Sequence, residues 1–292
     1  MTIGITGASG FIGRKIIDLA LRRGHDIVAF TRHPEHTIPG CEMRAFSLEK
    51  APEISGCHAL IHLAGESVVG LWTAEKKRRI VESRVQGTRR IVEAIRAAGE
   101  KPEVLLSGSA IGFYGDRGEE NLTETSPAGR GFLAETVQAW EAEARKVEDV
   151  RVAFLRTAVV LGKNGGALAA MLPAFRFGLG AKLGNGRQWM SWIHLDDIAA
   201  LALFAVENLD VRGPVNAAAP WPVRNMDFTR TLAHTLHRPA LFRVPALALR
   251  LALGGFSAEV LDSKRVLPAA ASDHGFRFAF PELEPALKNL LG

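Results

Sequence analysis

Three glycines near the start of the chain limit its fold more than any other feature. Gly7, Gly10 and Gly13 recur at intervals of three in Gly4-Ile5-Thr6-Gly7-Ala8-Ser9-Gly10-Phe11-Ile12-Gly13. An apolar run, Thr2–Thr6, stands before them and an amphipathic stretch, Phe11–Arg23, follows. Glycines between a strand and a helix allow a sharp turn, a close approach of backbone to a diphosphate, and tight packing of helix on strand. The diphosphate then meets the leading N–H groups of the helix, where the peptide dipoles favour negative charge. Gly7, Ser9, Gly10, Phe11, Ile12 and Gly13 are therefore expected to bind a dinucleotide.

The next strand selects which dinucleotide. An Asp or Glu about 20 residues past the glycines holds a free ribose 2′-hydroxyl. Here the strand end reads Thr31-Arg32-His33, with Arg32 nineteen positions past Gly13 and no carboxylate. A guanidinium grips a 2′-phosphate through charge-assisted hydrogen bonds, and Thr31 and His33 can add donors. The expected cofactor is NADP(H).

The pattern continues as alternating strands and helices. Strands are expected at Thr2–Thr6, Asp26–Thr31, Met43–Phe46, Ala59–Leu63, Val104–Ser107 and Val152–Leu155, with helices at Phe11–Arg23, Ala74–Ala98 and Phe132–Lys146. This rhythm predicts an α/β chain with a Rossmann doubly wound parallel sheet over residues 1–160. A helix at Asp197–Val206 and a strand at Pro214–Asn216 are expected to rejoin the sheet, within 195–220. Residues 161–292, rich in Gly and Pro at the start, form mainly a smaller C-terminal substrate-binding region. Its last block, about 243–292, holds an apolar helix from Pro245, a break at Pro268 and a terminal helix from Glu282.

Composition excludes several classes. Cys41 and Cys57 form no C-x-x-C pair and no His cluster accompanies them, so no metal site is expected and free thiols in a reducing compartment are. No uninterrupted apolar run approaches the roughly 20 residues of a membrane span. Thr2–Thr6 already reads as a buried strand, which argues against a signal peptide and for a cytoplasmic protein. The chain carries a net charge of +5. Its densest basic run, Lys76–Arg79, is interleaved at helical spacing with Glu75, Glu82 and Glu93, which reads as a solvated helix face and not a nucleic-acid surface. The expected partner is a small-molecule substrate, with neither nucleic acid nor membrane. The sequence leaves the oligomeric state open, a homodimer included.

Further motifs carry a family resemblance. His62-Leu63-Ala64-Gly65 ends the fourth strand, and Tyr114-Gly115-Asp116 follows the fifth. With the glycine spacing, they resemble the extended short-chain dehydrogenase/reductases of the NAD-dependent epimerase/dehydratase group. Gly65-Glu66-Ser67, Trp72, Ser83-Arg84, Trp140-Glu141, Gln188-Trp189-Met190-Ser191-Trp192-Ile193-His194 and Arg265-Val266-Leu267-Pro268 look like its atypical "epimerase family protein" subgroup, essentially end to end. The resemblance implies that Leu63, Ala64, Gly65 and Ser107 border the dinucleotide. It also implies that Ser109 hydrogen-bonds the reacting oxygen.

The same resemblance exposes a gap. Typical relatives place Tyr-x-x-x-Lys on the helix after the fifth strand, and the Lys lowers the pKa of the Tyr so that it can move a proton. The only tyrosine here is Tyr114, before that helix. Aligning Glu141 with the acid that follows the family's Lys puts Leu133 and Val137 at the two places. Another group must carry the proton, or hydride transfer is absent or assisted by solvent. Glu66 and Tyr114 are the remaining candidates beside Ser109. Arg156, ending the sixth strand, is expected near the nicotinamide. Arg187, Gln188, Trp189 and Trp192 are expected to bind substrate, Trp faces stacking on rings and the polar groups fixing carbonyl or hydroxyl groups. The expected function is an NADP(H)-dependent oxidoreductase or epimerase-like enzyme acting on a polar carbonyl or alcohol. The alternative is a non-catalytic NADP(H)-binding sensor or scaffold on the same frame.

Overall fold

Short, almost wholly buried apolar runs at the start of the chain pair side by side into one parallel sheet. The structure is a computed structural model describing residues 1–292. Its sheet strands are β1 (Thr2–Thr6), β2 (Asp26–Thr31), β3 (Cys41–Ala45), β4 (Ala59–His62), β5 (Val104–Ala110), β6 (Arg151–Thr157) and β7 (Gly213–Ala217). Their spatial order is β7-β6-β5-β4-β1-β2-β3, and all neighbours run parallel. The order reverses at β1, so the crevice beyond the carboxyl ends of β1 and β4 is the switch point where such sheets bind ligands.

Helices cover both faces. On one, α1 (Phe11–Arg22) and α5 (Leu195–Glu207) bury Ile16, Ile17, Ile198 and Leu201 against Ile3 and Ile5. On the other, α2 (Ala74–Ala97) places Ile91 and Ile95 against Phe30, Leu60 and Leu105, while α3 (Phe132–Ala144) contributes Ala144. Burial on both faces explains why the strands read as continuous apolar runs. The N-terminus of α2 is capped by Thr73, whose Oγ1 accepts the Lys76 N–H at 3.1 Å.

Element ends differ from the sequence expectation where tertiary bonds intervene. β5 continues to Ala110 because β6 pairs with it along its whole length. β4 ends at His62, short of the expected Leu63, and the Leu63 N–H is shared between the carbonyl and the hydroxyl of Thr6. α5 begins two residues early, behind His194, whose Nδ1 accepts the Asp196 N–H at 3.0 Å.

After β6 the chain forms α4 (Gly166–Arg176), α6 (Asn225–Thr235) and short strand pairs outside the main sheet. Val159–Gly162 pairs with Trp192–His194, and Arg265–Val266 pairs with Asn121–Leu122, which ties the C-terminal block to the segment after β5. The buried carboxylate of Asp197 accepts the N–H groups of Ala279 and Phe280 at 2.7 and 2.9 Å. α7 (Ala246–Leu253) is apolar apart from Arg250, yet buries only Leu249. No helix is long and apolar enough to cross a membrane.

Candidate functional site

The glycine turn has a specific steric basis. Gly7 adopts φ +70, and a Cβ there would stand 3.0 Å from backbone atoms of Leu63 and Ala64. A Cβ on Gly13 would overlap the Gly7 carbonyl oxygen, so helix and turn meet only through glycine. No side chain caps α1 and no acid stands in its first turn. Its leading N–H groups are therefore left for an anion from outside the chain. Phe11, at the head of α1, projects its ring among Gly162, Gly165 and Gly166, where any Cβ would meet it.

Thr6 binds the second wall of the crevice to the first. Its Oγ1 accepts the N–H groups of Leu63 and Ala64 at 3.1 and 3.2 Å and lies 2.7 Å from His62 Nδ1. With both lone pairs used, the hydroxyl donates its hydrogen to the imidazole, which is then neutral with its proton on Nε2. Burial alone lowers the His62 pKa to about 4. Leu63 and Ala64 are thus held beside Gly7.

Arg32 and Thr31 lie at the end of β2, next to β1. Arg32 is exposed, and its charge reaches Glu66. The Glu66 pKa is lowered chiefly by the Lys76 ammonium, hydrogen-bonded at 2.6 Å, and further by Arg79 and Arg32. Glu66 is accordingly a carboxylate paired with Lys76. His33 is exposed and turns its Nδ1 to Glu35 at 3.0 Å.

The sequence reading passed over Arg84. Its Nη1 donates to the carbonyl oxygens of Glu66 and Ile80, its guanidinium lies 5.2 Å from the Trp140 ring, and a Cβ on Gly65 would be 3.5 Å from its Cζ. No carboxylate pairs with it, and burial lowers its pKa to about 10. It is a desolvated cation at the crevice wall. The signal was present: Ile80, Arg84, Gly87, Thr88 and Ile91 follow helical spacing, which puts Arg84 on the buried stripe of α2.

Behind the crevice lies a closed polar hub. Glu141 on α3 is fully buried and accepts from Ser109 (2.7 Å), from Arg156 Nε and Nη2 (2.8 and 3.0 Å) and from Arg145 (2.9 Å). Burial alone would raise its pKa, but the Arg156 fork outweighs this and the carboxylate is lowered. Arg156 also donates to the Tyr114 oxygen at 3.0 Å, and Tyr114 donates to Asn216 Oδ1 at 2.7 Å. Three expectations are corrected here. The Ser109 hydrogen is committed to Glu141, Arg156 faces the hub, and Tyr114 is fully buried with both hydroxyl functions used. Ser107 is likewise fully buried.

At the two places of the family pair, Leu133 and Val137 pack toward Gly112, just past β5. The neighbouring wall is aromatic: the Trp72 ring meets Phe132 at 5.1 Å and Phe256 at 6.0 Å, both edge-on. The loop expected to hold substrate is largely structural. Gln188 gives its amide to the Leu183 and Val260 carbonyls, and Trp192 is fully buried with its indole N–H on the Trp221 carbonyl. Trp189 donates to Glu119 and lies under the guanidiniums of Arg224 and Arg265 at 4.5 and 4.3 Å. Of the four, Arg187 alone is exposed.

Residues 3–218 match the NAD dependent epimerase/dehydratase family. The chain belongs to that family. Residues 244–290 match a separate domain of unknown function, DUF1731. The chain is 38% identical to the Arabidopsis thaliana chloroplastic homolog of epimerase family protein SDR39U1, over 100% of this chain and 87% of that protein. It is 37% identical to the Bacillus subtilis epimerase family protein YfhF, over 100% and 98%. The human epimerase family protein SDR39U1 (isoform 2), solved with NADPH, superposes with a TM-score of 0.93 at 30% identity, covering 99% of each chain.

Proposed function

We propose that the chain is an NADP(H)-dependent oxidoreductase acting on a carbonyl or alcohol. The observation that carries this reading is the uncapped, acid-free head of α1, together with the exposed Arg32 just past the end of β2. Gly7, Gly10 and the first N–H groups of α1 would hold the diphosphate, Arg32 the 2′-phosphate, and Arg84 would add positive charge beside Gly65. The family's human member solved with NADPH supports the same choice of cofactor.

When bound, the nicotinamide supplies or accepts a hydride. The chain's own residues would orient the reactants: Thr6 fixes the turn at Leu63 and Ala64, and Leu133 and Val137, packed on Gly112, would offer no proton. Ser109, Tyr114 and Glu66 are committed to other partners, so a proton for the substrate oxygen would come from water. Leu133 and Val137 also favour a second reading, an NADP(H)-binding sensor or scaffold that performs no turnover. Fluorescence titration tests the common part: NADPH binds at least tenfold more tightly than NADH, and equal affinities overturn it. A panel of aldehydes and ketones followed by NADPH absorbance then separates enzyme from sensor.

A further inference from the structure

At the mouth of the crevice one carboxylate faces three cations. Glu66 Oε1 accepts from the Lys76 ammonium at 2.6 Å, and the charges of Arg79 and Arg32 act on the same carboxylate. The loop beneath it is fixed through its backbone. The Glu66 N–H donates to the Ser83 hydroxyl at 2.9 Å, and the Glu66 carbonyl accepts from Arg84 at 3.0 Å. Thr6 of β1 stands opposite Phe30 of β2 on one side and His62 of β4 on the other. Neighbouring strands are spaced about 4.8 Å apart, so the ends of β2 and β4 stand roughly 10 Å apart, a gap that admits a ribose and its phosphate. Arg32 follows the end of β2, and Glu66 lies beyond the end of β4. Lys76 occupies the first turn of α2, where the helix dipole disfavours a cation. Its place answers to a neighbouring anion and not to the helix.

We propose that Lys76 reads the 2′-phosphate beside Arg32, and that Glu66 holds the ammonium when no dinucleotide is bound. NADPH would draw Lys76 away from Glu66, whereas NADH, lacking that phosphate, would leave the pair closed. This rests on the NADP(H) reading and adds to it a specificity-determining residue and a competing anion. The pair is placed to open: the Lys76 and Glu66 side chains are 15% and 34% exposed, and ion pairs in contact with water are weak. A phosphate monoester carries about two negative charges against the one of a carboxylate, with three acceptor oxygens. The flexible lysine stem lets the ammonium swing without moving the helix. Arg79, paired with Glu75 only at 3.8 Å, adds positive charge on the same side.

Calorimetric titration of the whole chain with NADPH and NADH tests this through the ratio of the two affinities. Lys76→Met should lower the preference for NADPH by about fivefold or more, and Lys76→Arg should keep most of it. Glu66→Gln should raise the preference by about threefold, because the competing carboxylate is gone. The opposite signs are decisive. If the pair merely pinned the loop, removing either half would disturb the crevice alike, and both dinucleotides would weaken together. Shifts of the same sign, or an unchanged ratio in either variant, overturn the proposal, while a wild type that prefers NADPH leaves the cofactor reading intact. A wild type that binds both dinucleotides equally overturns the cofactor reading and the proposal with it. A second measurement needs no folded Met or Gln variant. In the wild type, the Lys76 side-chain NMR signal, assigned by its loss in Lys76→Arg, should shift more with 2′-AMP than with 5′-AMP. Equal shifts overturn the proposal.

Discussion

The Ser109 hydroxyl donates to the Glu141 carboxylate across 2.7 Å, joining β5 to α3 in the interior. The same carboxylate carries the bidentate Arg156 from β6, so three elements converge on one buried charge. This relationship makes the residue that resembles a catalytic serine a brace for the crevice floor. Removing the charge on one side leaves Arg156 unpaired, which costs about 3–5 kcal/mol in a buried site. Glu141→Gln should therefore lower the urea midpoint sharply, and Ser109→Ala should lower the unfolding free energy by about 1–3 kcal/mol. Both are read by equilibrium denaturation. If Ser109→Ala instead left stability untouched and abolished turnover, the bracing role would be wrong.

Arg32 and Arg84 should separate in their effects on the dinucleotide. Arg32→Ala removes the partner of the 2′-phosphate, so NADPH affinity falls about tenfold or more and NADH affinity barely changes. Arg84→Ala weakens both dinucleotides. Because its guanidinium is desolvated without a carboxylate, the Arg84 variant should keep or gain thermal stability without cofactor. Calorimetric titration and melting curves measure these effects. A loss of stability in Arg84→Ala matching its loss of affinity would indicate a structural cation.

His62 predicts an acid-side loss of stability. Its folded pKa is about 4 against an ordinary 6.5. The unfolded chain thus takes up the proton first. The contribution is fully present above pH 6.5 and is lost as pH falls through 6.5 toward 4, amounting to roughly 3 kcal/mol. His62→Gln keeps an acceptor for Thr6 without titrating, so its denaturation midpoint should fall less over that range. Parallel pH profiles for variant and wild type would remove His62 as the source.

Asp197→Ala should release the C-terminal block. Its carboxylate receives two backbone N–H groups, from Ala279 and Phe280, and each such bond to a charged group contributes about 1.5–3 kcal/mol. Amide exchange should accelerate in residues 276–291 while the sheet remains protected. Uniform acceleration across the chain would contradict a local anchor.

The parallel sheet, the phosphate turn and Arg32 could be read from sequence because each depends on local pattern: strand–glycine–helix spacing and the residue at a strand end. The hub could not. Ser109, Glu141, Arg156 and Asn216 come from four separate elements, and the strand registers that set Ser109 and Asn216 on either side of Arg156, with α3 packed over them, bring them together. Trp189 and Trp192 misled for a related reason. An indole reads the same in a sequence whether its ring stacks on substrate or on Arg224 and Arg265. Arg84 was legible on the helical stripe, but its neighbours in Lys76–Arg79 made the whole segment look like a solvated surface.

The ring of Phe11 seated against Gly162, Gly165 and Gly166 sets an order of assembly. The turn that receives the diphosphate is among the earliest parts made during synthesis, yet its outer wall is a glycine hairpin made much later. A nascent chain ending before that hairpin would expose the phenyl ring and hold cofactor poorly. Binding competence should thus arrive abruptly as the hairpin leaves the ribosome, long after the glycine turn itself.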